Sequence, residues 1–226
     1  DVTPEEIYLL TDQYLSSLER QHPPEPITIV EPEQRGERRF SIEADAQTPL
    51  LHMAFHAGAT NDPETLQLDL LLAILVEGDS SRLHRALVEE DGLAISVSGH
   101  QSDGFDAGLA YFALTLAPGA DIAAAEARLR AELERVATDG VSASELAKAR
   151  NLRLAAFWRG LQTINGKASA LGNFEVFRDD YETLFDVPKQ LNEITAAQLR
   201  AVAAEVFRDE NMTVGILSAP AQEEQE

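Results

Sequence analysis

The 226-residue sequence contains no cysteine, which excludes disulfides, thiolate nucleophiles and cysteine-based zinc sites. A chain without cysteine folds in any redox compartment, so the sequence leaves that open. Positive charge is scarce: 18 Lys and Arg stand against 39 Asp and Glu, a formal charge of −21. Such a surface repels phosphate backbones and argues against a nucleic-acid partner. It attracts basic ligands weakly and over long range, and its plainer role is to keep molecules apart in solution. No apolar stretch approaches the roughly 20 residues of a bilayer-spanning helix. The opening, DVTPEEIYLL, shows no signal-peptide pattern and reads as the middle of something longer. Phosphate-binding glycine loops and a G-x-S-x-G nucleophile elbow are also missing.

What is present is an ordinary globular pattern of helices and strands. Residues 4–21 read as a helix, with Thr3 as cap, Pro4 in the first turn, and Ile7, Leu10, Tyr14 and Leu18 on one face. Four prolines between Pro23 and Pro32 stop it and predict an extended linker. RRFSIEAD and TPLLHMAFHAG then read as strands. Asp62 and Pro63 are expected to open a helix over LQLDLLLAILVEG, which is apolar nearly all round and hence deeply buried, with Gly78 ending it. Ser80 or Ser81 starts a helix to about Glu90. LAISVSGHQ and FDAGLAYFALTLAP form a hairpin around Asp103-Gly104. From residue 120 the pattern is helical: one amphipathic helix closed by Gly140, a long helix opened by a Ser142–Glu145 capping box, a stretch over 166–185, and a helix over 195–207 opened by Thr195 and Gln198. MTVGILSAP is a last strand. Hairpins and packed helices without strict βαβ alternation predict an α+β fold, a mainly antiparallel sheet covered on one side by helices.

Catalytic chemistry is hard to find in these residues. The histidines are His22, His52, His56, His84 and His100. His52 and His56 have the i, i+4 spacing of zinc helices, but the local pattern is a strand, where that spacing separates them by about 13 Å. One zinc holding both at about 2 Å is not feasible there. They read instead as two residues on one strand face. His22 falls at the linker, His84 is an ordinary helix residue, and His100 ends a strand near a turn. Ser80 and Ser81 are better read as helix caps than as nucleophiles, and the acidic run at 89–91 as a solvated helix end.

The segment DPETLQLDLLLAILVEGDSSRLHRALVEEDGLAISVS resembles the pitrilysin/insulinase-type zinc metallopeptidases, the inverzincins, which include the mitochondrial processing peptidases. Its SSRL at 80–83 and GLA at 92–94 match that family's second-domain phrase. ELAKARNLRLAAFWRGLQTINGKASALGNFEVF and ITAAQLRAVAAEVFRDENMTVGIL match later segments in the same order, so the resemblance spans roughly residues 37–218. In that family an H-x-x-E-H motif in another domain carries zinc, and none occurs in this chain. The family's active architecture also places an Arg and a Tyr, seven apart, over the zinc. Here Val88 and Ile95 stand at those positions, and neither can donate to a developing oxyanion.

The resemblance therefore implies a non-catalytic second-type domain. Its role would be to enclose peptide substrate and scaffold an H-x-x-E-H domain in the same polypeptide or a partner chain. No catalytic or metal-binding residue is expected in this chain, and zinc is expected only in the partner domain. Residues 1–22 would be the C-terminal helix of a preceding domain, 23–36 a linker, 37–220 the pitrilysin-type domain and 221–226 a disordered tail. A structural or assembly module of the same fold, without peptidase activity, is the alternative. An independent ligand-binding protein is a third, which a well-formed apolar pocket would favour. Export to the periplasm is suggested by the resemblance alone.

Overall fold

Thr3 closes a reciprocal capping box with Glu6 and starts helix α1 (Pro4–Leu15), which is shorter than the apolar periodicity predicts. The structure, a computed structural model, describes residues 2–22, 31–46 and 48–218. The chain divides into an N-terminal unit ending at Glu33 and a second unit beginning at Gln34. None of the residues of α1 is buried. Most of the proline-rich linker and the tail from 219 onward lie outside the described residues.

The second unit is built on one five-stranded sheet. Its strands are β1 (Arg38–Glu43), β2 (Leu50–Ala57), β3 (Ala94–Gln101), β4 (Gly108–Leu116) and β5 (Met212–Ser218), in the order β1-β5-β2-β4-β3. Only the β1–β5 pair is parallel. The remaining pairs are antiparallel, as the hairpin signals require. Burial alternates with period two along β2 and β4. Leu51, Met53 and Phe55 of β2 and Ala110, Phe112 and Leu114 of β4 are buried on one face, whereas His52, Ala54 and Tyr111 are not.

In the second unit, the helices that bury residues pack against this buried face. Helix α2 (Thr65–Val76) has seven buried residues and is the centre of the core. Leu70, Leu71 and Leu75 are fully buried, each a contribution of about 2 kcal/mol of transfer free energy. Its start differs from the expectation. Asp62 is not the cap: its carboxylate accepts the Ala59 backbone N–H at 2.8 Å, stabilising the turn before the helix, and the helix begins three residues later. Gly78 takes φ +80 just past the end. After it, α3 (Arg82–His84) widens into a π-helix over Arg85–Glu90, where an α-helix was expected. Helices α4 (Ile122–Asp139) and α5 (Ala143–Gly160) follow, joined at Gly140, and the Ser142–Glu145 capping box is present. Helix α6 (Ile164–Arg178) buries none of its residues. A 3-10 turn (Tyr181–Asp186), α7 (Val187–Glu193) and α8 (Ala196–Val206) lead into β5, and the Thr195–Gln198 box is also present.

Candidate functional site

The two strand histidines are placed as their spacing requires. His52 and His56 lie on the helix-free face of β2, paired with Ala113 and Leu109 across β4. His52 is exposed, and the Nε2 of the half-buried His56 lies 3.3 Å from Gln34 Oε1. The same Gln34 amide donates to Met212 O at 2.7 Å, so Gln34 ties the start of the domain to β5. Asn211 Nδ2 reaches the His56 carbonyl at 2.9 Å. His100 meets Tyr111 edge-on at 5.9 Å, His84 is half-buried in α3, and His22 is exposed beyond α1. Among the described residues no three His, Asp or Glu side chains converge as a metal site would need. The residues present thus do not fit the zinc that the resemblance associates with such peptidases.

Of the two serines expected to start this helix, Ser81 does so. Ser81 stands at the N-cap position of α3, but its hydroxyl makes no capping bond and is buried without a partner. Ser80 Oγ accepts from Lys148 Nζ at 2.6 Å. A serine–lysine pair can be nucleophilic only where the lysine is desolvated enough to lose its proton. This one is exposed, so the contact is a surface hydrogen bond.

The family-like SSRL segment carries a structural role instead. Arg82 donates Nε and Nη2 to the two carboxylate oxygens of Glu145 and reaches the Gly140 carbonyl at 3.0 Å. Glu145 also closes the α5 capping box, accepting from the Ser142 N–H at 2.8 Å. The Arg82 guanidinium, assisted by Ser142, lowers its carboxyl to about 2. Nearby, Arg128 bonds Glu90, Asp91 and the buried Glu132. These arginines line a cleft of about 200 Å³ together with Glu90, Glu132 and Glu145. Each guanidinium has a carboxylate partner, so the cleft is not an anion site. It anchors both ends of the π-turn.

Val88 sits within that turn, half-buried against the core, and Ile95 is 53% exposed at the start of β3, beside a register irregularity between Ala94 and Ser96. Neither side chain has a donor or acceptor. What sequence reasoning missed is a surface property. Among the described residues Glu43 is the only carboxylate in a strand. It shares the side of the sheet from which Arg39 reaches Glu126 of α4. The strand positions of the helix-free face thus hold no carboxylate at all, on a chain with 39.

Comparison with known proteins fits this geometry. Residues 1–153 match the family described as the peptidase M16 inactive domain. The zinc protease PqqE of Helicobacter pylori is 25% identical over 221 residues, covering 96% of this chain and 49% of that protein. The chain therefore spans about half the length of that curated relative. A crystal structure of a protease from Helicobacter pylori superposes with a TM-score of 0.86 at 25% identity, covering 96% of this chain and 53% of that one. The inactive peptidase domain of a candidate zinc protease from Bordetella parapertussis gives 0.70 at 29% identity, covering 82% of this chain and 97% of that one.

Proposed function

This chain belongs to the peptidase M16 inactive-domain family, and from that premise we propose that it works as the wall and scaffold of a two-part zinc peptidase. The zinc-bearing H-x-x-E-H motif belongs to the other part. The observation that carries this reading is the sequence itself: a member of a peptidase family with no H-x-x-E-H anywhere in its 226 residues. In this reading Val88 and Ile95 occupy the places of the family's substrate-facing Arg and Tyr. They leave an apolar surface beside the substrate, and the chain contributes enclosure and exclusion of water, with no proton transfer of its own. Residues 1–22 are the closing helix of a preceding domain, and residues 37–220 are the enclosing module.

The test is peptide hydrolysis with zinc present. It compares this chain alone, its H-x-x-E-H-bearing counterpart alone, and the two together. Cleavage that requires both is the expected result. Cleavage by this chain alone would overturn the reading and return attention to His52 and His56.

A further inference from the structure

We propose that the cavity beneath helix α6 binds a single arginine, free or at the C-terminus of a peptide, with its guanidinium at Asp69 and its carboxylate at Arg178. The cavity measures about 300 Å³ and lies between α2, the β3–β4 turn and the C-terminal end of α6. That size is at the small end for a ligand pocket and suits an amino-acid-sized molecule. Helix α6 buries none of its residues, yet Phe174 and Phe177 are half-buried on the side that lines the cavity. Phe177 meets Phe105 of the β3–β4 turn at 4.8 Å, which pins the end of the helix to that turn. The cavity lies at the far end of β3 from Val88 and Ile95, and its ligand is independent of the two-part reading above.

The class of ligand follows from the charges and rings. On α2, Asp69 Oδ2 lies 2.8 Å from Arg153 Nε, and the same guanidinium bonds Glu77 at 2.8 Å. One arginine thus serves two carboxylates, and Asp103 lines the cavity as a third. Burial pushes the Asp69 carboxyl up although Arg153 lies beside it, and Glu77 and Asp103 push it the same way. A further cation beside Asp69 would offset that cost. On α6, Arg178 stands 5.0 Å over the Phe174 ring and, among the described residues, pairs with no carboxylate. A simple anion would be repelled by Asp69 and Asp103, and a simple cation would leave Arg178 unused, so the ligand carries both signs. A guanidinium suits the acidic end because it is planar, pairs with a carboxylate through two N–H groups and stacks on aromatic rings. Phe174 and Phe177 supply the rings.

Titration calorimetry of the chain with L-arginine, glycyl-L-arginine and L-arginine amide tests the site. The variants are Asp69→Asn, Arg178→Gln and, as a control of equal charge change outside the cavity, Arg159→Gln, an exposed side chain at the end of α5. Circular dichroism and melting check that each folds. Asp69→Asn also disturbs Arg153, so Arg178→Gln carries the test should the first variant fail to fold. The expected result is arginine bound at least about tenfold more weakly by Asp69→Asn and Arg178→Gln, and within about twofold of wild type by Arg159→Gln. The amide lacks the carboxylate and should bind wild type at least about tenfold more weakly than arginine does, a preference that disappears in Arg178→Gln. A preference that survives in Arg178→Gln would overturn the assignment, since Arg178 would then have no part in holding the carboxylate. Glycyl-arginine bound as tightly as arginine would support the site with a peptide C-terminus as its ligand. Weaker binding of the dipeptide would support it with the free amino acid, whose ammonium Asp103 then meets. No binding of arginine or the dipeptide by the folded wild-type chain up to about 10 mM would sink the proposal. Binding that neither cavity variant weakens would do the same.

Discussion

Glu145 shows how much one side chain can hold. It caps α5 through Ser142 and receives both arms of Arg82. Glu145→Gln should cost about 1–3 kcal/mol, because Arg82 loses a charged partner while partly buried. The cost should depend on pH. The carboxyl falls from an ordinary 4.5 to about 2 in the folded chain. Its stabilisation is therefore complete above about 4.5 and disappears as pH falls through about 2. Urea unfolding of wild type and Glu145→Gln across that range should show the two curves converging at the acid end. A gap that stays constant with pH would count against the ion pair. The capping half of this role was legible in the Ser-x-x-Glu spacing. The Arg82 half was not, because the two residues are 63 apart in the chain and only packing brings them together.

At the scale of elements, capping boxes and strand alternation carried the reading furthest. Both boxes named from spacing alone are present. Thr195→Ala should destabilise α8 by about 1 kcal/mol, measurable by chemical denaturation. The start of α2 was misjudged because Asp62 turned its carboxylate back to Ala59, a local alternative that Asp residues offer as readily as a cap. The π-turn was also invisible in the sequence. Its residues favour any helical bonding, and the ends are held by Arg82 and Arg128 from outside the segment. On β5, Gly215→Ala should displace Phe40 and lower stability by about 1–2 kcal/mol. Adding Phe40→Ala should recover part of that loss, since the obstacle is then gone. A double-mutant cycle with additive losses would show that ring and glycine do not meet.

At the scale of the whole molecule the chain carries a formal charge of −21. Self-repulsion of that size weakens as salt shortens the screening distance. The melting temperature should therefore rise from low to moderate ionic strength, and calorimetry in a salt series would register a flat response as a failure. The isolated chain should also emerge from zinc loading and dialysis without stoichiometric metal, as measured by atomic absorption. Bound zinc at one equivalent would contradict the absence of converging ligands among the described residues.

Sequence alone determined the order of the strands and of the longer helices, the α+β class and the family, because hydrophobic period, cap spacing and ordered motif wording are local properties that one strand of text preserves; it missed the short helix α7. It also determined that H-x-x-E-H is absent. Only the tertiary structure decided which side of the sheet the helices take and that Arg82 locks onto Glu145. It alone revealed that the strand positions on the other side of the sheet are free of carboxylates. That last property belongs to no segment. It arises because alternate residues of five strands, drawn from both ends of the chain, are laid side by side on one surface by hydrogen bonding between strands.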